Sequence, residues 1–274
     1  MATAAYDDSG HDGVYLVAHA GASPVEVVPG LHTPLGLLWY QGSLYVSSTA
    51  QVDVFSGFNG STFGSRRTIL TLPSGVGEVN SMALAPDGRL WMGISAPCDH
   101  CVPTLKWSAA VVSFLPNGSD LQVEASGIRA PVGLAFYPGT GELLVSMNQR
   151  DDLGTATTGD DLSVVRSGQA WHFPQCFGQG GAACAGVPHP LAVLDKHAAV
   201  SDVAVVTGQL GPAVATAVVV AEWAVGKVQQ VTLRGAVAPL LTGIKNPVAV
   251  AVGPDGALYT ADWSSGTIYR VGRS

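Results

Sequence analysis

The chain has 274 residues, of which 47% are hydrophobic and only 12% are charged, so it is long enough to bury a large core. Its formal net charge of −7 argues against general binding of nucleic acid or of anionic membranes. No uninterrupted apolar run is long enough to span a bilayer. The N-terminal residues lack the basic start and the apolar centre of a signal peptide.

One sequence pattern recurs along the chain: an apolar strand, a turn and a second apolar strand. Clear copies cover residues 33–48, 79–95, 130–148 and 246–263, and a weaker copy covers 201–223. The equivalent positions in the five copies are Gly36, Ser81, Gly133, Asp202 and Ala249. A period of roughly 40–50 residues built from short strands is typical of a β-propeller blade.

We therefore expect a single all-β domain over residues 1–274, a propeller of four-stranded antiparallel blades. Residues 14–30 contain two strand-like runs without the inner strands of a blade. Five copies and this partial one predict six blades, of which the first is incomplete. The alternative is a five-bladed ring in which residues 14–30 complete the last blade. The outer strands of the third blade are expected at 161–166 and around 171–173.

The four cysteines form two local pairs, Cys98 with Cys101 and Cys176 with Cys184. Local pairs favour disulfides formed in an oxidising compartment, which predicts the mature form of an extracellular or periplasmic protein. Zinc binding is the alternative, because His100 lies between the first two cysteines. The spacing of the second pair, however, is unlike that of a zinc ribbon.

In a propeller, the residues before each first strand surround the mouth of the central channel, where the loops after the second strands also meet. Basic side chains occupy or adjoin these positions in this acidic chain, namely His32, Arg129, His197 and Lys245. They predict a rim that binds an anionic ligand. The alternative is that they pair with nearby carboxylates or cap strands.

The loop that follows the third copy is rich in the oxygen ligands that Ca²⁺ takes. Its carboxylates are Asp151, Asp152, Asp160 and Asp161. Their spacing does not match an EF-hand, and a solvated acidic turn is the alternative. Trp171 follows this loop and is a candidate for stacking on a flat cofactor or a sugar, with packing as the alternative.

At residues 129–176 the pattern resembles the soluble glucose/sorbosone dehydrogenases, which are sugar dehydrogenases dependent on pyrroloquinoline quinone (PQQ). The resemblance rests on RAPVGLAFYPGTGELLVSMNQRDDLG, on GDDLSVVRSGQAWHFPQC, on the CDHC pair and on NPVAVAVGPDGALYTADW. It covers most of residues 30–271 and indicates the sorbosone-type branch. It implies a six-bladed propeller that holds PQQ and Ca²⁺ at the channel mouth and oxidises a small sugar or sugar aldehyde by hydride transfer to the quinone.

The resemblance also implies roles for individual residues. Arg129 matches an arginine that contacts the quinone, and Asn80 belongs to a pattern of the sorbosone-type branch. The candidates for cofactor contact are thus Arg129, Asn80, Lys245, Trp171 and His197. Gln149 and Arg150 match the calcium-binding loop, where backbone carbonyls can serve. The candidate metal ligands are thus Gln149, Arg150, Asp151, Asp152, Asp160 and Asp161.

The general-base histidine of the family falls at Gly77, and its acidic partner falls near Ala96. Neither residue can supply general-base help, which is worth about 10²–10⁴-fold in rate. His32 and Glu78 are the candidate replacements. We therefore predict a protein similar to the PQQ-dependent sugar dehydrogenases. The alternative is a non-catalytic propeller that binds a carbohydrate or a protein.

Overall fold

A computed structural model describes residues 1–6, 12–214 and 216–273, and nearly all of its regular structure is strand. Runs rich in valine, leucine and threonine form the strands, because these side chains pack well on a pleated surface. The described helices are short 3₁₀ turns at Gly154–Ala156, Ala182–Cys184 and Pro212–Val214. None of the helices in these ranges is long and apolar enough to cross a membrane.

The strands form one small N-terminal sheet and five larger sheets, the blades. The N-terminal strands are β1 (Asp12–Leu16) and β2 (Val25–Leu31). Those of the first blade are β3 (Gly36–Tyr40), β4 (Ser43–Ser48), β5 (Gln51–Ser56) and β6 (Ser65–Thr71). Those of the second are β7 (Val79–Leu84), β8 (Leu90–Ile94), β9 (Ala110–Phe114) and β10 (Gln122–Ser126).

The other three blades follow in chain order. The remaining strands of the chain are β11 (Pro131–Phe136), β12 (Leu143–Met147), β13 (Asp161–Val165), β14 (Gln169–Ala170), β15 (Ala192–Val193), β16 (Val200–Val206), β17 (Ala217–Glu222), β18 (Lys227–Val231), β19 (Val237–Thr242), β20 (Pro247–Val252), β21 (Leu258–Asp262) and β22 (Thr267–Val271). All of them except β14 belong to these three blades. The third blade has the order β11-β12-β13-β15, the fourth β16 to β19 and the fifth β20 to β22.

The prediction of six blades is not supported, because the described residues form five blades, which was the alternative. The N-terminal segment supplies only β1 and β2, which pair antiparallel with each other. They pack against the first blade through an apolar cluster that includes Val14, Val28 and Leu44. In the described ranges these strands do not pair with β22, so the last blade keeps three strands.

The outer edge of the third blade differs from the prediction. Its fourth strand is β15, which pairs with β13 through Asp161 and Leu162. The predicted strand around residues 171–173 is replaced by β14, which runs parallel to β10 and joins the second blade. The chain therefore crosses to the neighbouring blade before it returns. This crossover carries Trp171 into the apolar cluster that joins the second and third blades.

The same backbone hydrogen bond recurs at one end of the blades. The residue at the end of each second strand donates its N–H to the carbonyl of a residue that precedes the first strand, at 2.9 to 3.2 Å. The pairs are Thr49 to His32, Ser95 to Glu78, Asn148 to Ala130, Trp223 to Ala199 and Trp263 to Asn246. Within each blade, the residues before the first strand therefore lie beside the loop that follows the second strand, as the sequence predicted.

Candidate functional site

A cavity of about 750 Å³ lies at this end of the blades, and we call it the mouth cavity. Its volume is within the range of small-molecule sites. Backbone before the first strands and loops after the second strands both contribute to its wall. The charged and amide side chains in the lining belong to Glu78, Asp99, Arg129, Asn148, Asp151, Asp160 and His197.

Arg129 is held in this cavity by Asp99, a residue that the sequence patterns did not single out. The Arg129 guanidinium donates from Nη2 to Asp99 Oδ1 at 2.5 Å and from Nε to the Asp99 carbonyl at 3.1 Å. Its Nη1 donates to the carbonyl of Asn148 at 3.3 Å. Because charge-assisted hydrogen bonds are the strong ones, this network fixes the arginine against the loop that begins at Asn148.

The Asp99 carboxylate also organises the acidic loop. Its Oδ1 accepts a hydrogen bond from the backbone N–H of Asp151 at 3.1 Å, and its Oδ2 accepts one from that of Asp152 at 2.8 Å. Asp99 lies in the short loop that the Cys98–Cys101 disulfide closes, so a covalent bond restrains its position. Both predicted disulfides are confirmed, since Cys176 is bonded to Cys184. The signal that could have identified Asp99 is its position between two cysteines of one short loop.

His197 reaches the same loop from the fourth blade. Its Nδ1 lies 2.9 Å from Asp151 Oδ1, and its Nε2 lies 2.8 Å from the carbonyl oxygen of Gly154. Both neighbours are acceptors, so the ring satisfies both when each nitrogen carries a proton. The hydrogen bond with Asp151 and the one with Gly154 raise the pKa of His197. A proton on both ring nitrogens would place a positive charge at this edge of the mouth cavity.

The acidic pair that the sequence suggested as joint metal ligands is divided between two cavities. Asp160 lines the mouth cavity, whereas Asp161 lines a second cavity of about 320 Å³. Gln149 bridges them, because its backbone N–H donates to Asp160 Oδ1 and its Nε2 donates to Asp161 Oδ2, both at 2.8 Å. Burial raises the pKa of Asp160 to about 6 and that of Asp161 to about 7, against the effect of these hydrogen bonds.

Two further candidate metal ligands, Arg150 and Asp152, are paired with each other. Arg150 donates from Nε and Nη2 to the two carboxylate oxygens of Asp152, at 2.9 and 2.7 Å. The hydrogen bond from Arg150 keeps the pKa of Asp152 well below its usual range. Asn148, in contrast, lines the mouth cavity with a buried Oδ1 that has no hydrogen-bond partner in the described part of the chain. Asn148 is thus a lining residue whose side-chain oxygen the described residues leave unpaired.

Glu78 lines the mouth cavity, but the neighbouring position of the family base is closed to side chains. Burial removes water from the Glu78 carboxyl group and raises its pKa, and the positive charge of Arg129 opposes that rise. Gly77 has a φ of +108°, and a Cβ on it would overlap the carbonyl oxygen of Ser95. His32 is not part of the cavity lining, although the adjacent Thr33 is.

Three candidates for cofactor contact lie outside the mouth cavity. Asn80 is buried, and its Nδ2 donates to Ser95 Oγ at 2.9 Å and to the carbonyl of Pro131 at 3.0 Å. Lys245 is exposed and absent from the lining. Trp171 lines the second cavity instead. Of the predicted cofactor contacts, the mouth cavity thus brings together Arg129 and His197.

No model of a known protein family matches the chain, and no curated protein matches it. Solved structures share its fold. The PQQ-bound form of aldose sugar dehydrogenase from Streptomyces coelicolor is 19% identical, with a TM-score of 0.77, over 97% of this chain and 85% of that chain. The apo-form of soluble aldose sugar dehydrogenase from Escherichia coli is 17% identical, with a TM-score of 0.72, over 98% of this chain and 95% of that chain.

A third structure, the calcium structure of a Trichoderma reesei carbohydrate-active enzyme of family AA12, is 14% identical. It has a TM-score of 0.73 and covers 96% of this chain and 87% of that chain. At these identities the likeness establishes the fold. The resemblance to soluble sugar dehydrogenases is thereby confirmed at the level of the fold, and the sorbosone-type branch stays a prediction: the chain is a β-propeller of the kind found in soluble aldose sugar dehydrogenases.

Proposed function

We propose that the protein is a sugar dehydrogenase of the PQQ-dependent type, which oxidises a small sugar or sugar aldehyde at the mouth cavity. The observation that carries the proposal is the pairing of a fixed arginine, Arg129, with the unpartnered buried oxygen of Asn148 in one cavity of this fold. The scaffold likeness to a PQQ-bound aldose sugar dehydrogenase supports it.

The oxygen donors of the mouth cavity suit Ca²⁺, a hard cation that takes carboxylate, amide and carbonyl oxygens. Asn148 Oδ1 and the carboxylates of Asp151 and Asp160 would hold it, since all three residues line the cavity. Gln149, Arg150, Asp152 and Asp161 would support the loop rather than face the ion with their side chains. The metal would offset the acidic character of the lining.

The charges of the mouth cavity also accommodate an anionic quinone. Arg129 and the protonated ring of His197, together with the metal, would face the carboxylates of PQQ. Lys245 and His32, which were predicted to complete a basic rim, would act at most at longer range. When bound, PQQ supplies the redox chemistry by accepting a hydride from the substrate.

Glu78 is the residue that we assign to proton transfer. It lies in the cavity wall, and the rise of its pKa brings it nearer to the operating pH, where a general base is most effective. It would accept the proton of the sugar hydroxyl as the hydride leaves carbon. Arg129, which opposes the rise of this pKa, would keep a fraction of Glu78 ionised.

A quinone titration tests both assignments. Wild-type protein mixed with PQQ and Ca²⁺ should show a changed quinone spectrum, and added aldose should bleach it. Glu78→Gln should retain quinone binding and lower turnover by about 10²–10⁴-fold. Glu142→Gln, which alters an exposed glutamate paired with Arg166, should turn over at the wild-type rate.

The outcomes separate the parts of the proposal. Absence of quinone binding would exclude the PQQ-dependent function. Undiminished turnover in Glu78→Gln would remove Glu78 from the mechanism, and a loss in His32→Ala would then identify His32 as the base. Removal of Ca²⁺ by a chelator should abolish quinone binding, and unchanged binding would exclude the proposed metal site.

A second candidate function is sugar binding without turnover. It is favoured by one observation, the closed position at Gly77, which prevents the family base from being carried there. Aldose binding that leaves the quinone spectrum unbleached would support this alternative. For either function, we infer from the two disulfides that the protein works in an oxidising compartment, outside the cell or in the periplasm.

A further inference from the structure

The second cavity lies beside the third blade, under the loop that the Cys176–Cys184 disulfide closes. Consecutive residues alternate between the two cavities: Asn148 and Asp160 line the mouth cavity, and Gln149 and Asp161 line the second one. The ends of β12 and β13 therefore form a wall between them. The volume of about 320 Å³ is at the lower end of the range for ligand sites.

The loop over the second cavity is internally braced. Gln179 accepts a hydrogen bond from the backbone N–H of Phe177 at 2.6 Å and donates from Nε2 to the carbonyl of Gln175 at 2.8 Å. Thr158 Oγ1 donates to the carbonyl of Phe177 at 3.0 Å, which ties the loop to the third blade. These bonds and the disulfide preform the cavity, so a ligand would not have to order the loop.

Two residues that line the second cavity, Trp171 and Asp161, each have a polar atom without a partner in the described part of the chain. Trp171 is 7% exposed, and its indole Nε1 is buried without a hydrogen-bond partner in the described ranges. Asp161 is 5% exposed and receives a hydrogen bond at Oδ2 from Gln149, which leaves Oδ1 for a ligand. A buried donor without a partner costs free energy, and a ligand that accepts from it would recover that cost.

The other walls are aromatic and aliphatic. The apolar lining includes Ile128, Met147, Phe173, Phe177 and Val187. A hydroxyl group can accept from the indole N–H and donate to the carboxyl oxygen at once, while the C–H faces of a sugar or polyol pack on aromatic rings. A neutral hydroxylated molecule therefore uses every kind of surface in this cavity.

The charges near the cavity disfavour ionic ligands. The basic side chains of the lining are Arg129 and His189, so an organic cation would meet the positive charge of Arg129 there. An anion would meet the Asp161 carboxyl group. We propose that the second cavity is a binding site for a small neutral polyol or a single pyranose ring, separate from the mouth cavity and independent of the function proposed there.

Direct binding measured without metal or quinone tests this site. We would titrate the protein, free of PQQ and Ca²⁺, with D-glucose, myo-inositol and glycerol by calorimetry and by ligand-observed NMR. Trp171→Phe keeps a ring and removes the donor, and it should weaken binding about fivefold, the effect of one hydrogen bond. Trp91→Phe is the matched control, because its Nε1 is also buried without a partner in the described residues but lies outside this cavity.

A second pair of variants keeps the test decisive if Trp171→Phe fails to fold. Ala185 is exposed and lines the cavity, so Ala185→Trp should block it and abolish binding. Ala183→Trp lies on the same exposed loop outside the lining and should bind as the wild type does. The site would be excluded if none of the three probes binds, if Ala185→Trp binds normally, or if tetramethylammonium binds in their place. Failure of quinone binding at the mouth cavity would leave these results unchanged.

Discussion

Gly77 lies in the wall of the mouth cavity at a position that has no room for a side chain. Its φ of +108° belongs to the left-handed region, where a side chain is strained, and the carbonyl oxygen of Ser95 occupies the space that a Cβ would need. The histidine that the sequence resemblance implies at this position could not be introduced by substitution alone, because the backbone itself would have to move. In the proposed reaction the proton acceptor would therefore be a neighbour, and Glu78 is the adjacent titratable residue in the cavity wall.

Substitution of Gly77 should be costly. We expect Gly77→Ala to lower the free energy of unfolding by about 2 kcal/mol or more, because strain and overlap add. Gly75→Ala is the control, since Gly75 also has a positive φ, +78°, but has open space around the Cβ position. It should cost only about 1 kcal/mol. Urea denaturation measures both, and equal losses would show that the overlap at Gly77 is relieved. Gly77→His should be destabilised likewise and should not raise turnover.

Adjacent blades are joined by buried polar bridges as well as by apolar clusters. Asn80 at the start of the second blade donates to the Pro131 carbonyl in the third, and its own carbonyl accepts from Ser47 Oγ in the first at 2.6 Å. One residue thus connects three blades. Its side chain is 1% exposed and lies outside the mouth cavity, which favours a structural role.

Asn80→Ala should therefore act on stability. We expect a loss of about 1–3 kcal/mol in the free energy of unfolding, because the buried partners Ser95 and Pro131 lose a hydrogen bond. Asn59→Ala, in an exposed turn, should cost about 1 kcal/mol or less. Quinone affinity should be the same as in the wild type. Weakened quinone binding at unchanged stability would instead support the cofactor contact that the sequence suggested.

In the fourth blade, two carboxyl groups have a raised pKa, that of Asp202 and that of Glu222. Burial raises the pKa of Asp202 to about 7, although the backbone N–H groups of Val250 and Val203 lower it. Burial likewise raises the pKa of Glu222 to about 7. Asp202 also joins the fourth and fifth blades, since its Oδ2 accepts from Val250 N at 3.1 Å. The packing of the fourth blade against the fifth thus encloses a carboxyl group that an isolated blade would leave in water.

Stability should fall as the pH rises from about 4 to about 7. A carboxyl group with a raised folded-state pKa contributes stability that is complete below its unfolded pKa, near 4, and is lost as the pH rises to its folded pKa, about 7. Each such group changes the free energy of unfolding by about 1.4 kcal/mol per pH unit in that window. Urea denaturation of metal-free protein between pH 4 and 8 measures the slope.

Asp202→Asn should reduce this slope by the contribution of one group. Asp255→Asn is the control, because the hydrogen bond from Arg270 lowers the pKa of that exposed carboxyl. Its contribution is lost only at acid pH, so the slope above pH 5 should stay as in the wild type. An unchanged slope in Asp202→Asn would contradict the assignment.

The sequence by itself determined the repeat, the turns, the paired cysteines and the end of the blades at which the basic residues lie. These properties are local, because strand periodicity and turn chemistry act over a few residues. The family resemblance followed from the same local phrases around Arg129, and the shared fold agrees with it.

Only the tertiary structure decided the number of blades, the crossing of β14 to the second blade, the clamp of Asp99 on Arg129 and the division of Asp160 from Asp161. Each depends on which distant segments meet when neighbouring blades pack together. Asp99 and Arg129 are 30 residues apart, and no periodic pattern relates them. Their contact exists because loops from two neighbouring blades meet at the mouth cavity. The packing of the blades against each other determines that meeting.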